Sequence, residues 1–132
     1  MKTITAILEK GKDGYGVSFK EVMNVFGFGE TVEAAKKDAR DALEGFIETL
    51  TDMGRPLPEA LEGGEFDIKF EFSTPALIEY LDLVKIQALV KVTKISSSQL
   101  SHYKNGTIPR EEQRKKIVDG LHEIARQLLT VS

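Results

Sequence analysis

Apolar and polar residues alternate along the first part of the chain with the period of a β-strand. Residues 3–8 and 14–19 both show this alternation, and residues 11–14 between them read Gly-Lys-Asp-Gly. Glycine and aspartate favour tight turns, so this part of the sequence predicts a β-hairpin. Residues 25–28 are mostly apolar and predict a third short strand that ends at Gly29.

The apolar spacing then changes to that of an α-helix. Thr31 provides a side chain suited to a helix N-cap, and Gly54, followed by two prolines, ends the pattern. The apolar positions share one helical face. They are Val32, Ala35, Ala39, Ala42, Leu43, Phe46, Ile47 and Leu50. The spacing predicts a helix over residues 32–53, with Glu33 in its first turn, where the helix dipole favours negative charge.

Residues 66–72 alternate aromatic or aliphatic side chains with charged ones, as in a strand with one buried face. Such an aromatic row can also stack nucleic acid bases. The amphipathic helix offers a complementary apolar face, which favours a packed core instead. The first part of the chain is therefore predicted to be β-β-β-α-β, with one helix covering one face of a small mixed sheet.

Only helical spacing follows the Ser-Thr-Pro sequence at residues 73–75. Apolar periodicity predicts helices over residues 76–81, 86–92, 99–104 and 109–130. The fold class is therefore predicted to be α+β, with an N-terminal domain over residues 1–72 and an all-α bundle over residues 73–132.

The composition narrows the possible chemistry. The 132 residues include no cysteine and two histidines, His102 and His122, so neither a metal site nor a cofactor is expected. No segment approaches the roughly 20 apolar residues that cross a bilayer. The N-terminus lacks the apolar core of a secretory signal, which predicts a cytoplasmic protein.

Charge is distributed unevenly along the chain. Residues 1–72 carry 15 acidic and 9 basic side chains, a net charge of −6, whereas residues 73–132 carry 6 acidic and 9 basic ones, a net charge of +3. A cationic domain can approach phosphates, and an anionic domain favours a basic protein partner. Chance variation in surface charge is the alternative explanation.

One predicted helix is poor in apolar residues and rich in small polar ones. Ser96 and Gln99 have the spacing of a capping box, and Leu100 and Tyr103 can anchor the helix to a core. Serine hydroxyls and an imidazole can pair with base edges in the major groove of DNA, while lysine and backbone amides reach phosphates. The candidate DNA-binding residues are Ser96, Ser97, Ser98, Ser101, His102, Lys104 and Asn105.

The spacing of four residue pairs resembles the helix-turn-helix of the Cro/repressor type. These pairs are Leu89-Val90, Ile95-Ser96, Leu100-Ser101 and Asn105-Gly106. The resemblance implies that the positions of Ser97, Ser98 and His102 face base edges, and that Ser96, Lys104 and Asn105 face the backbone. The chain departs from the family pattern at Val90, usually alanine, and at Lys94, usually glycine. Gln87 lies one residue away from the family's phosphate-binding glutamine.

The N-terminal domain resembles the HicB antitoxin family over roughly residues 3–72. The similarity lies in residues 15–19, 29–35, 42–43 and 54–58, and residues 20–24 depart from the family's usual loop. The resemblance implies a partial ribonuclease H-like fold without the catalytic carboxylates. It also implies binding to a HicA-type toxin that cleaves messenger RNA, and repression of the protein's own operon through double-stranded operator DNA.

Three other functions are alternatives to that of an antitoxin that represses its own operon. A two-metal nuclease needs convergent carboxylates, but Asp38, Asp41, Glu44 and Glu48 line the polar face of a helix, so no enzyme is predicted. The first domain can instead be a sensor of a small ligand in a free-standing repressor. The bundle can also serve dimerisation alone. A homodimer or higher homo-oligomer is expected, because paired recognition helices read half-sites one DNA turn apart.

Overall fold

The computed structural model describes residues 2–132, which fold into two compact units. Met1–Ala76 forms the first, named here the sheet unit, and Leu77–Ser132 forms the second, the helical unit. A mixed sheet with one long helix is followed by several shorter helices, so the α+β class is as predicted. None of the helices in residues 2–132 combines the length and the apolar character needed to cross a membrane.

The sheet unit contains the four strands that the sequence predicted. They are β1 (Lys2–Lys10), β2 (Tyr15–Phe19), β3 (Phe26–Gly29) and β4 (Phe66–Phe72). Their order in the sheet is β3-β2-β1-β4. The strand β1 pairs antiparallel with β2 and parallel with β4, which makes the sheet mixed. Strands β3 and β4 therefore form its two edges.

The segment after β2 continues the ladder between β1 and β2. The backbone N–H of Lys20 donates to the carbonyl oxygen of Thr5 at 3.0 Å. The carboxylate of Glu21 then accepts a hydrogen bond from the N–H of Thr5 at 2.7 Å, in place of a further backbone acceptor. Val22 and Val25 are buried, so this segment also contributes to the core.

One face of the sheet is covered by the helix α1 (Val32–Asp52). Its N-terminus is capped by the Thr31 hydroxyl, which accepts a hydrogen bond from the N–H of Ala34 at 3.1 Å. Fully buried side chains of the helix and of β1 meet in the core. They are Ala35, Ala39 and Leu43 on the helix and Ile4, Ala6 and Leu8 on the strand. The aromatic strand β4 also packs against this core, as its alternation predicted.

Two glycines allow α1 to lie very close to β3. A Cβ atom at Gly27 would lie 2.7 Å from the Cα atom of Ala39, and one at Gly29 would lie 2.6 Å from the carbonyl carbon of Ala34. The carboxylate of Asp38 accepts a hydrogen bond from the backbone N–H of Phe28 at 2.8 Å, which fixes the helix to the strand. The glycines are therefore required by the packing.

Gly45 has the opposite character, because it lies in the middle of α1 with open space around it. No atom would lie within 4 Å of a Cβ at this position. We expect Gly45→Ala to stabilise the protein by roughly 0.5–1 kcal/mol, since alanine loses less backbone entropy in a helix. Thermal unfolding followed by circular dichroism tests this. Gly54→Ala is the control and should be destabilising, because the φ of Gly54 is 67°. An unchanged or lower midpoint for Gly45→Ala would contradict the expectation.

The helical unit contains the later predicted helices, with small shifts of their ends. They are α2 (Thr74–Tyr80), which begins just before the boundary between the units, α3 (Ile86–Thr93), α4 (Ser97–Lys104) and α5 (Glu111–Leu129). Buried side chains from several of these elements form the core of the unit. They include Leu81, Leu89, Leu100, Tyr103 and Ile117. Helix α5 begins two residues later than predicted, because Arg110 is extended, with φ −66° and ψ 159°.

Candidate functional site

The sharp turn between α3 and α4 is built by Thr93 and Lys94. Lys94 ends α3 in the left-handed conformation, with φ 62° and ψ 18°, and its N–H donates to the carbonyl oxygen of Val90 at 2.9 Å. The buried Thr93 hydroxyl donates to the carbonyl oxygen of Leu89 and accepts from the N–H of Ile95, at 2.6 and 3.1 Å. Two hydrogen bonds of one hydroxyl thus hold the turn from inside.

Ser96 begins the next helix as its N-cap. Its hydroxyl accepts a hydrogen bond from the backbone N–H of Gln99 at 3.1 Å, as the sequence predicted. The reciprocal bond of a capping box, from the Gln99 side chain to Ser96, is not formed among residues 2–132. The cap is therefore one-sided, and the prediction of a full capping box is wrong.

Helix α4 has one buried and one exposed face. Leu100 and Tyr103 are buried in the core of the helical unit and anchor the helix as predicted. Ser97, Ser98 and His102 are exposed, and Ser101 is half-buried. Ser98 and His102 lie four residues apart, so their side chains project from the same side of the helix. The helix thus presents short hydroxyls and an imidazole to solvent.

The end of α4 is closed by backbone hydrogen bonds. Asn105 is exposed, and its N–H donates to the carbonyl oxygen of Ser101 at 3.1 Å. Lys104 is partly buried, and its ammonium lies 3.5 Å from a carboxylate oxygen of Asp82. This ion pair partly neutralises Lys104, so an approaching phosphate would compete with Asp82 for its charge.

Two further basic side chains lie at the start of α4. Lys94 and Arg110 are exposed and line the same depression, of about 620 Å³, as Ser96 and Gln99. Sequence reasoning did not include either of them in the site. Lys94 was considered only as a departure in the turn, and Arg110 is distant from Ser96 along the chain. Their position adds positive charge beside the exposed serines, although Glu112 lines the same depression.

Helix α5 supports the turn from behind. A Cβ atom at Gly120 would lie 2.6 Å from the Cγ2 atom of Thr93, so the two helices cross in close contact. The far end of α5 has no such cover, and Leu128 and Leu129 are 63% and 84% exposed. Helix α5 therefore combines a buried half that positions the turn with an apolar end exposed to solvent.

Two exposed-surface hydrogen bonds shift the pKa of a titratable group, one on α1 and one on α5. A hydrogen bond from Arg126 lowers the pKa of the Glu123 carboxyl on α5, and one to Asp41 raises the pKa of Lys37 on α1. Lys37 is exposed and Glu123 is half-buried. Residues 2–132 contain no group of three or more His, Cys, Asp or Glu side chains arranged to hold a metal ion.

Comparison with known proteins identifies a family for the chain. The model of the HicB-like antitoxin of bacterial toxin-antitoxin systems matches residues 4–117. The chain belongs to the HicB-like antitoxin family. Since this family is non-enzymatic, the antitoxin is not an enzyme, as the sequence predicted. The family also implies a cognate toxin as a partner.

The match extends well beyond the resemblance seen in the sequence. That resemblance covered roughly residues 3–72, whereas the family model continues through α3 and α4 and ends within α5. Both units of the antitoxin are thus part of one family match. A search of curated proteins finds no match to the chain.

Proposed function

We propose that this antitoxin neutralises a HicA-type, messenger-RNA-cleaving toxin through its sheet unit and represses its own operon through its helical unit. The observation that carries the proposal is the family match, which spans the sheet unit and the exposed helix α4. The charges of the two parts of the chain support these two separate roles, toxin binding and DNA binding. The acidic residues 1–72 suit a basic, RNA-binding toxin, and the basic residues 73–132 suit DNA. Such a toxin acts on messenger RNA, so the site of action is the cytoplasm.

For DNA binding, α3 and α4 serve as a helix-turn-helix with α4 as the recognition helix. Its N-terminal residues would enter the major groove, where Ser97, Ser98 and His102 pair with base edges. Their exposure supports this role, because side chains that read DNA must not be used in the protein's own packing. Ser101 is half-buried and lies beside them.

Phosphate contacts would come from the ends of the helix and from the turn. Ser96, Lys104 and Asn105 are the residues that the helix-turn-helix resemblance implies for this role. Lys94 and Arg110 extend the set, since both are exposed and lie at the depression beside Ser96. Contacts of this kind fix the register of the protein on the duplex and make its affinity depend on salt.

A homodimer completes the repressor model. Leu121, Ile124 and Leu128 recur along α5 at intervals of three and four residues, so they share one side of the helix. Leu121 and Ile124 are half-buried and Leu128 is 63% exposed, and Val131, just beyond the end of the helix, is 76% exposed. A second copy of α5 would cover this apolar side and place two copies of α4 on neighbouring half-sites.

Co-expression with the product of the adjacent reading frame tests the proposal. We expect the antitoxin to copurify with a small basic protein that arrests growth when it is produced alone. We also expect the complex or the free antitoxin to bind its own promoter DNA, with an affinity that falls as salt rises. Growth arrest that the antitoxin does not relieve would refute neutralisation. Promoter binding no tighter than binding to unrelated DNA would refute specific repression.

A further inference from the structure

The sheet has a second face, which α1 does not cover. The strands alternate, and the residues opposite to the core positions point away from the helix. This surface is named here the open face. It is formed by the outward-facing residues of the four strands. They are Thr3, Thr5, Ile7 and Glu9 on β1, Gly16 and Ser18 on β2, Phe26 and Phe28 on β3, and Asp67, Lys69 and Glu71 on β4. In residues 2–76, α1 is the one long helix, and it packs on the other face.

Two phenylalanines lie exposed on this face at the edge strand β3. Phe26 is 65% exposed and Phe28 is 54% exposed, and Met23, in the segment before them, is 81% exposed. Large apolar side chains clustered at one place on a surface mark an interaction site rather than a fold requirement. Aromatic rings supply large contact areas in protein interfaces.

The strand register places carboxylates across the sheet from these rings. Phe28 lies opposite Gly16, and Gly16 lies opposite Glu9 on the next strand. Phe26 begins a parallel row that continues through Ser18 and Ile7 to Glu71 on β4. Neighbouring strands lie roughly 4.8 Å apart, so the aromatic and acidic ends of each row are separated by about 10–15 Å.

The space between the two ends is shallow and open. A Cβ atom at Gly16 would have no neighbour within 4 Å, and the adjacent position in the other row is the small Ser18. Three acidic side chains and one basic side chain lie on the face, and the basic one, Lys69, is paired with Glu71 at 3.2 Å. Glu9 is exposed and forms no ion pair among residues 2–132.

We infer that the open face is where the toxin docks, with apolar side chains on Phe26 and Phe28 and lysine or arginine side chains towards Glu9 and Glu71. The inference rests on the proposed function and adds the surface and the chemistry of recognition. A basic protein fits because its cations offset the carboxylates. A nucleic acid would meet them with its own negative charge, and a second copy of this face would bring further carboxylates with Lys69, its one basic side chain, already paired with Glu71.

Matched variants of the full-length chain test the docking surface. The combined change Phe26→Asp and Phe28→Asp removes the apolar end and adds charge, and Met53→Asp makes the same kind of change at the exposed end of α1. Gly16→Arg fills the open space between the rows. Gly45→Arg, where a Cβ also has no neighbour within 4 Å, is its control on α1.

The probe is the basic protein encoded by the adjacent reading frame, made as a catalytically inactive variant for titration by calorimetry. We expect both open-face variants to bind it about 30-fold or more weakly than the wild type and to lose growth rescue, since central interface residues carry most of the binding energy. The two controls should bind within about twofold of the wild type. Circular dichroism should give all four variants the wild-type spectrum.

The measurements distinguish toxin binding by the protein from docking at the open face. If the wild type does not bind this protein, both are overturned. If the wild type binds and Gly16→Arg and the double variant bind equally well, the toxin docks elsewhere and only the inference is overturned. A change in the oligomeric state of the open-face variants, with toxin affinity unchanged, would assign the face to self-association and overturn it as well.

Discussion

Replacing Gly29 by alanine is expected to destabilise the sheet unit by about 1–3 kcal/mol, because the added methyl group meets the backbone of α1. Its Cβ atom would lie 2.6 Å from the carbonyl carbon of Ala34 and still closer to the amide nitrogen of Ala35. Backbone atoms at a helix start cannot rotate away as a side chain does, so α1 must move off β3. Overpacking of this kind costs typically 1–3 kcal/mol or more.

Urea unfolding followed by circular dichroism measures this effect, with Gly16→Ala as the matched control. Gly16 lies on the neighbouring strand, opposite Phe28, where a Cβ has open space on every side. The control should therefore unfold within about 0.5 kcal/mol of the wild type. Equal stability of the two variants would show that the close approach of α1 to β3 is not a requirement of the fold.

Replacing Ser97 and Ser98 together by alanine is expected to weaken specific binding to the protein's own promoter by about 1–3 kcal/mol for each base contact that is lost. Both hydroxyls are exposed on the first turn of α4 and do not cap it, since the cap is Ser96. Alanine favours a helix more than serine does, so the fold should be retained. Affinity for unrelated DNA should stay near the wild-type value, because nonspecific binding depends on phosphate contacts.

Titration of labelled promoter DNA at several salt concentrations distinguishes base contacts from phosphate contacts. The double variant should keep the salt dependence of the wild type, whereas loss of a phosphate contact reduces it. Thr51→Ala, which removes a hydroxyl from the C-terminal turn of α1 in the sheet unit, is the control and should bind as the wild type does. Unchanged promoter affinity in the double variant would remove these serines from DNA recognition.

The periodicity of the sequence was sufficient to predict the regular elements of the fold. Helix α1 was predicted over residues 32–53 and spans Val32–Asp52, and β4 has the predicted bounds. Burial of one apolar face dominates both elements, so the spacing of apolar residues carries the information. The burial of Leu100 and Tyr103 under α4 was predictable for the same reason.

Features that depend on contacts between distant residues were not predictable in this way. The pairing of Lys104 with Asp82 joins two helical elements far apart in the sequence, and the hydrogen bond from Thr5 to Glu21 depends on the strand register. Gly27 and Gly29 are not marked by any pattern in the sequence, although α1 packs closely against β3 only because they are glycines. No pattern in the sequence marks Thr93 as the residue whose hydroxyl holds the turn between α3 and α4.

Because β1 pairs in parallel with β4, the sheet is completed late in the synthesis of the sheet unit. Strand β1 gains its second neighbour only after Phe72 has been synthesised, since Lys2–Leu8 pairs with Phe66–Phe72. Until then one side of the central strand exposes unpaired amide and carbonyl groups. A nascent chain that stalls before residue 66 therefore has an incomplete sheet with an unpaired edge on β1.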